Sequence, residues 1–151
     1  LSTYTGLMPQ PVLDNLSLER SIQKWKHRLA PESPSKIPYI FIAENLVSSN
    51  PSIVGFVKAG PMRSDSFDYD AEIYAIYILE DYQNQGIGRA LFRKTVQELR
   101  SNGFQSLLIW VLNGNPAMHF YDKMGGIPLC TKHEKIHGHL MEEIGYVWPS
   151  I

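Results

Sequence analysis

A segment in the middle of the chain constrains the fold most, because it predicts two buried strands joined through a helix. Ala71–Leu79 is apolar on both faces except for Glu72, which is typical of a central strand. Gly86–Asn102 carries apolar side chains at helical spacing, and Leu107–Leu112 is a continuous apolar run. We therefore expect the two strands to run parallel, with a right-handed crossover.

Shorter patterns on either side of this unit predict antiparallel hairpins. Tyr39–Ala43 and Ile53–Ala59 are rich in β-branched and aromatic residues, and a polar, turn-prone segment separates them. Pro128–Ile136 and Leu140–Trp148 predict a second hairpin, with its turn near Gly138.

Two further helices are predicted outside the central unit. Ser17 is a suitable N-cap for an amphipathic helix that continues to Leu29. Asn115 and Pro116 are typical of a helix start, and this short helix is expected to end near Met124. The elements together predict a single α/β domain over residues 1–151, with a mixed, mostly antiparallel sheet and a parallel strand pair at its middle.

Composition excludes several classes of function. The formal net charge of −1 provides no basic field for nucleic acid, and no apolar run is long enough for a membrane helix. The single cysteine, Cys130, excludes an internal disulfide framework and fits a reducing, cytoplasmic location. The chain begins at Leu1 rather than Met, so we expect that sequence upstream has been removed or is missing.

The strongest candidate for a binding site is the glycine turn between the first buried strand and its helix. Gln83-Asn-Gln-Gly86-Ile-Gly88 places glycines where backbone N–H groups at a helix start attract a diphosphate. No Walker sequence is present, and Leu91 stands where a dinucleotide fingerprint needs its third glycine. A glycine turn without any ligand stays open as the alternative.

Two ordered motifs resemble the GNAT superfamily of acetyl-CoA-dependent N-acetyltransferases. One is the strand Glu72–Leu79 followed by Gln83-x-x-Gly86-x-Gly88, and the other is the helical segment Asn115–Gly126. The resemblance implies that the turn holds the pyrophosphate of acetyl-CoA and that no metal takes part. It also implies that the two parallel strands splay apart and that the first strand of the family lies upstream of Leu1.

The resemblance also implies catalytic roles for individual residues. Glu72 corresponds to the family's base, which removes a proton from the acceptor amine directly or through water. A backbone N–H near Ile76 corresponds to the donor for the thioester oxygen, and Tyr121 corresponds to the acid that protonates the leaving thiolate. A solvent-facing Glu72 and a core Tyr121 stay open as alternatives. The implied cofactor contacts are Ile76, Ile78, Gln83, Asn84, Gln85, Gly86, Ile87, Gly88, Arg89, Asn115 and Tyr121.

Some of these contacts have simpler explanations. Helix capping accounts for Asn115 equally well, and solvated surface charge accounts for Arg89 and Lys123. Two other clusters are weaker signals: the histidines of the second hairpin for zinc, and an acidic loop for attracting a cationic amine. Their residues are His133, His137 and His139, and Asp65, Asp68 and Asp70.

The sequence thus predicts an enzyme that moves an acetyl group from acetyl-CoA directly to a primary amine. A small-molecule amine is the favoured acceptor, while a peptide or protein amine stays open. A non-catalytic module that binds or senses acyl-CoA is the alternative, and a protein-interaction domain with a vestigial turn is a third. The aromatic segment Tyr146-Val147-Trp148 and an edge strand would suit a homodimer.

Overall fold

Six strands of this chain form one sheet in the computed structural model, which describes residues 23, 39–47, 51–136 and 138–151. The predicted helix from Ser17 to Leu29 lies outside the described residues except for position 23. The strands are β1 (Tyr39–Asn45), β2 (Ser52–Pro61), β3 (Ala71–Ile78), β4 (Leu107–Leu112), β5 (Ile127–Ile136) and β6 (His139–Trp148).

The strand order β1-β2-β3-β4-β6-β5 confirms the predicted mixed sheet. Four of the five neighbouring pairs are antiparallel, and the pair β3–β4 is parallel. This parallel pair is the predicted strand–helix–strand unit, and both predicted hairpins are present as β1–β2 and β5–β6.

Two α-helices in the described residues follow the buried strands β3 and β4. Helix α1 (Ile87–Ser101) follows β3 after a 3₁₀ turn at Glu80–Tyr82. Helix α2 (Ala117–Lys123) follows β4. The buried side chains of α1 recur at helical spacing, which is the amphipathic pattern predicted for this segment: Leu91, Phe92, Thr95 and Leu99.

Both helices contribute side chains to one apolar core on a single face of the sheet. The Phe92 ring on α1 lies 5.0 Å from that of Trp148 and 6.2 Å from that of Phe120. Tyr146, Val147 and Trp148 are all buried, because β6 lies between β4 and β5. These side chains are therefore buried within one chain and offer no surface to a second copy, while the homodimer itself stays a prediction.

An irregularity in β3 separates it from β4. Lys58 of β2 pairs with Ala75, whereas the next residue, Ala59, pairs with Ile73, so Tyr74 is an extra residue on β3. A bulge of this kind bends the strand and increases its twist. Pairing of β3 with β4 ends at Ile73, immediately before the bulge. The bulge therefore marks where the two strands diverge.

Candidate active site

The divergence of β3 and β4 leaves a gap in the middle of the sheet. The strands pair only from Ala71 to Ile73 on β3, although β3 continues to Ile78 and β4 to Leu112. On its other side β4 pairs with β6 along its whole length. The backbone of β3 beyond Ile73 therefore faces the gap without a partner strand.

The register of β2 and β3 fixes which backbone groups point into the gap. The N–H of Leu79 donates to the carbonyl of Val54 at 2.9 Å. Hydrogen-bonding direction alternates along a strand, and the register continues unbroken from Leu79 back to Ala75. The N–H groups of Ile76 and Ile78 therefore point away from β2, into the gap, while both side chains pack against the core.

The glycine turn lies between β3 and α1 and is held by its own side chains. Gln83 donates through Nε2 to the carbonyl of Ile78 at 3.1 Å, and Gln85 donates to the carbonyl of Asp81 at 2.9 Å. Asn84 and Gly86 both have positive φ, at 58° and 84°. The side chains of Gln83 and Gln85 thus fix the turn rather than project freely from it.

The start of α1 has no side-chain cap among the described residues. Gly86 is the N-cap and provides no side chain to cap the helix, and the first intrahelical bond runs from Ala90 N–H to Gly86. The N–H groups of Ile87, Gly88 and Arg89 are therefore without an acceptor in the helix and carry partial positive charge. A Cβ on Gly86 would have no neighbour within 4 Å, so the space beside the turn is empty.

Tyr121 on α2 is buried in the aromatic core, with its ring 5.5 Å from that of Tyr146 and 5.4 Å from that of Phe120. Burial raises the pKa of Tyr121 far above its usual range, and the nearby Tyr77 phenol on β3 raises this pKa further. The hydroxyl forms no hydrogen bond to any residue that the structure describes. Tyr121 is thus a protonated phenol whose hydroxyl has no acceptor among the described residues, unlike the Tyr146 hydroxyl, which donates to Asp122 at 3.0 Å.

Glu72 is buried rather than facing solvent, and its carboxylate is paired. Arg63, in the loop between β2 and β3, donates through Nε to Glu72 Oε2 at 3.0 Å and through Nη2 to Oε1. This pairing raises the pKa of the Arg63 guanidinium. The Arg63 guanidinium also lies over the Tyr74 ring, 4.7 Å from its centroid.

Glu72 and Tyr121 lie on opposite faces of the sheet. Ile73 belongs to the same core as Tyr121. Successive side chains of a strand alternate between faces, so Glu72 points to the other side. The gap between β3 and β4 is the part of the sheet where groups from the two faces can approach one molecule.

One of the three aspartates of the acidic loop is engaged in hydrogen bonds within the chain. Asp70 accepts hydrogen bonds from the N–H groups of Gln105 and Ser106, at 2.8 and 3.2 Å, so it ties the loop to the start of β4. The Phe67 ring of the same loop lies 5.0 Å from that of Trp110 on β4. Asp65 and Asp68 stay exposed.

Asn115 is buried, and its Oδ1 accepts a hydrogen bond from the N–H of Ala117 at 2.9 Å. This is the capping role that the sequence allowed, with α2 beginning one residue later than a simple Asn115 N-cap predicts. Arg89 and Lys123 are exposed on the surface. Their contacts with a cofactor stay predictions.

Two of the three histidines considered for zinc lie in the described residues, and neither belongs to a group of three metal-ligating side chains there. His133 lies opposite Glu142 and His139 opposite Ile136, while His137 lies outside the described residues. The part of the chain that the structure describes contains no group of three metal-ligating side chains. Cys130 is half-buried, and burial raises the pKa of its thiol, which disfavours a reactive thiolate.

Arg63 is the site residue that the sequence analysis missed. It lies in a polar loop with no periodic pattern, and its pairing with Glu72 depends on how that loop turns back over β3. The sequence gives only an indirect indication that Glu72 has a cationic partner. A glutamate in an otherwise apolar central strand needs a cation, and the hairpin brings the loop preceding β3 close to it.

Comparison with known proteins identifies the family. The model of the Acetyltransferase (GNAT) family matches residues 9–126, so the chain belongs to this family. An uncharacterized N-acetyltransferase of Bacillus subtilis strain 168, YuaI, is 34% identical over 150 residues, which are 99% of this chain and 81% of YuaI. The chain is therefore an acyltransferase enzyme of the N-acetyltransferase type.

Solved structures share the fold. The ribosomal-protein-alanine N-acetyltransferase of Brucella melitensis superposes with a TM-score of 0.62 at 20% identity, covering 88% of this chain and 78% of that one. Arabidopsis thaliana NAA60 in complex with acetyl-CoA superposes with a TM-score of 0.53 at 23% identity, covering 66% of each chain. Among the described residues, no helix is long and apolar enough to span a membrane.

Proposed function

We propose that this enzyme transfers the acetyl group of acetyl-CoA directly to a primary amine bound at the gap between β3 and β4. The main support for this proposal is the gap between β3 and β4. The uncapped start of α1 lies at one end of the gap, and the protonated Tyr121 phenol lies on the core face beside it. The structure of NAA60 with acetyl-CoA shows that a protein of this fold holds this co-substrate.

The cofactor is proposed to lie along the gap. Its diphosphate binds the N–H groups of Ile87, Gly88 and Arg89, where the helix dipole favours negative charge. Its pantetheine arm takes the place of the missing neighbour strand: it accepts a hydrogen bond from the N–H of Ile78, and its thioester oxygen lies at the N–H of Ile76. Gln83, Asn84, Gln85 and Gly86 shape the turn that brings the diphosphate to the helix.

The proposed reaction needs three groups from this chain. The acceptor amine loses a proton to Glu72, and its nitrogen attacks the thioester carbon. As the new C–N bond forms, the N–H of Ile76 stabilises the negative charge on the thioester oxygen. When the C–S bond breaks, the Tyr121 hydroxyl donates its proton to the leaving thiolate. The second proton that the new amide nitrogen must lose returns through water to the Tyr121 phenolate.

Glu72 is proposed to receive the proton through water. It precedes Ile76 by four residues, which is about 13 Å along an extended strand, and its side chain points to the face opposite Tyr121. One or more water molecules in the gap would bridge this separation. The acceptor amine accordingly approaches from the face that carries Glu72, Tyr74 and Trp110.

Two classes of acceptor amine are candidates. The Brucella melitensis relative acts on a ribosomal-protein alanine, so an N-terminal amine of a protein or peptide is a candidate acceptor alongside a small-molecule amine. Arg63 already neutralises Glu72, and Asp70 caps the start of β4. The acidic residues near the gap therefore do not by themselves favour a small polycation over other amines as the acceptor.

Calorimetric titration tests the cofactor step of the proposal. Saturable binding of acetyl-CoA and desulfo-CoA, with none of ATP, is expected if the turn and the gap hold the whole CoA molecule. Saturable binding without any thiol release from an amine panel would indicate an acyl-CoA sensor instead. Failure of a cooperatively folded protein to bind either CoA ligand would contradict the proposal.

A further inference from the structure

The pairing of Arg63 with Glu72 joins an exposed cation to an almost inaccessible carboxylate. The side chain of Arg63 is 59% exposed, whereas that of Glu72 is 2% exposed. A buried carboxylate without a partner is strongly disfavoured, so Arg63 is what allows this position to carry a charge. Both oxygens of Glu72 are engaged, which fixes the plane of the carboxylate as well as its charge.

The loop between β2 and β3 is built to hold Arg63 in this place. Met62 donates from its backbone N–H to the carbonyl of Asp70 at 2.9 Å, which closes the base of the loop. The Tyr74 ring, at the bulge, lies against the guanidinium. Arg63 is thus fixed from both sides, at the closed end of the gap where β3 and β4 begin to diverge.

The pairing leaves Glu72 able to take up a proton. An ionised carboxylate has about four lone-pair sites. Arg63 uses three of them, because its backbone N–H also donates to Glu72 Oε2, at 3.4 Å. The fourth accepts no hydrogen bond from a residue that the structure describes. Arg63 therefore orients the Glu72 carboxylate and leaves it a lone pair that can accept a proton.

We propose that Arg63 is a positioning residue for the acetyl transfer, which pairs with Glu72 and holds its carboxylate in one orientation for the incoming proton. The inference rests on the proposed function, because it takes Glu72 as the base. Arg63 itself touches neither acetyl-CoA nor the acceptor amine in this account. Its effect on turnover is expected to depend entirely on Glu72.

A double-mutant cycle tests this dependence. The variants are Arg63→Met, Glu72→Gln and the two combined, assayed by thiol release with acetyl-CoA and the best amine of a panel. We expect Arg63→Met to lower kcat at least tenfold while changing the KM for acetyl-CoA less than twofold. In the Glu72→Gln background the same substitution is expected to change kcat less than twofold.

Two further variants separate positioning from a structural role. Arg63→Lys keeps the charge but loses the two-point contact, so its kcat is expected to fall between those of the wild type and Arg63→Met. Because it keeps a cation beside the buried carboxylate, it also serves if Arg63→Met fails to fold. Arg93→Met, which removes an exposed arginine on α1, is the matched control and is expected to leave kcat unchanged.

The outcomes are distinct. If Glu72→Gln leaves kcat unchanged, Glu72 is not the base, and the proposed mechanism fails together with the role of Arg63. If Glu72→Gln is strongly impaired but Arg63→Met keeps or increases kcat, the mechanism stands and the positioning role is overturned. An equal loss of kcat from Arg63→Met in both backgrounds would also overturn it, since that is the result of a structural role.

Discussion

Two neighbouring tyrosines show how single hydroxyl groups acquire different roles in one core. The rings of Tyr121 and Tyr146 lie 5.5 Å apart, and both residues are buried. The Tyr146 hydroxyl donates to Asp122, whereas that of Tyr121 has no partner among the described residues. Only the hydroxyl of Tyr121 is therefore available to donate a proton to a reacting molecule.

Replacing each hydroxyl separately tests this difference. Tyr121→Phe is expected to lower kcat by about 10²-fold or more, the usual contribution of a general acid, with little change in stability. Tyr146→Phe is the matched control and is expected to lose about 1 kcal/mol of stability, for one hydrogen bond, while keeping its kcat. Thiol-release kinetics and urea unfolding measure both effects, and equal kcat values for the two variants would refute the acid role of Tyr121.

At this scale, the sequence proposes candidate catalytic residues but not their partners. Glu72, Ile76 and Tyr121 are candidates because each belongs to a motif that is contiguous in sequence, and their roles stay predictions. The pairing of Glu72 with Arg63 depends on the path of an irregular loop, which no periodic pattern encodes. The capture of Asp70 by Gln105 and Ser106 joins residues more than thirty positions apart and was missed for the same reason.

At the scale of elements, the glycine turn and the start of α1 form the proposed diphosphate site. Gly86 and Gly103 both have positive φ, at 84° and 89°, and a Cβ at either position would meet nothing within 4 Å. They differ in place, because Gly86 begins α1 beside the empty space and Gly103 follows the end of the helix. The two positions therefore form a matched pair for substitution.

Alanine at these two positions is expected to cost similar stability but to affect binding differently. Each substitution strains the backbone by about 1–2 kcal/mol, since a left-handed conformation disfavours a Cβ. Only Gly86→Ala also places a methyl group where the diphosphate is proposed to lie, so only this variant is expected to weaken acetyl-CoA binding, by about tenfold or more. Calorimetry on both variants decides, and equal affinities would argue against a diphosphate at this turn.

The gap between β3 and β4 makes a prediction about backbone hydrogen exchange. Ala75 and Tyr77 bond to β2, while Ile76 and Ile78 face the gap. Amide exchange of Ile76 and Ile78 is therefore expected to be fast in the free protein and to slow by about tenfold or more with acetyl-CoA. Ala75 and Tyr77 are the internal controls and are expected to exchange slowly in both states. Unchanged exchange at Ile76 and Ile78 with bound cofactor would exclude the strand-like pantetheine.

The elements themselves were largely predictable, whereas the gap was not. Apolar and β-branched patterns located all six strands and α1 to within a few residues, because burial sets a period of two or of 3.6. The start signal at Asn115 and Pro116 located α2. The extra residue at Tyr74, by contrast, leaves no trace in the apolar pattern of β3. The splay was expected only from the family resemblance, and the register of β2 against β3 now gives its physical cause.

At the scale of the whole molecule, the buried Tyr121 phenol affects stability at alkaline pH. In the unfolded chain this phenol ionises near pH 10, while in the folded protein burial raises its pKa and keeps it protonated. Above about pH 10 the unfolded state binds fewer protons than the native state, so stability falls as pH rises. Tyr121→Phe is expected to make the decline between about pH 9 and 11 shallower, as measured by urea unfolding. An unchanged slope would contradict the protonated, buried phenol.

The arrangement of the whole sheet connects these parts into one enzyme. The core formed by α1 and α2 supports the turn and Tyr121 on one face, and the loop carrying Arg63 supports Glu72 on the other. The gap is where the two faces meet. The proposed cofactor site is formed by strand and helix backbone, whereas the proposed acceptor site is bordered by loops, which vary more readily between relatives.

The most direct test of the account is to detect the acetylated product. The enzyme is incubated with acetyl-CoA and a panel containing a polyamine, an amino acid, an alanine-terminated peptide and a lysine peptide, and products are read by mass spectrometry. The account predicts one or more acetylated amines in equal amount to the CoA released, with formation reduced at least tenfold in Glu72→Gln and in Tyr121→Phe. Product formed at the wild-type rate by both variants would contradict it.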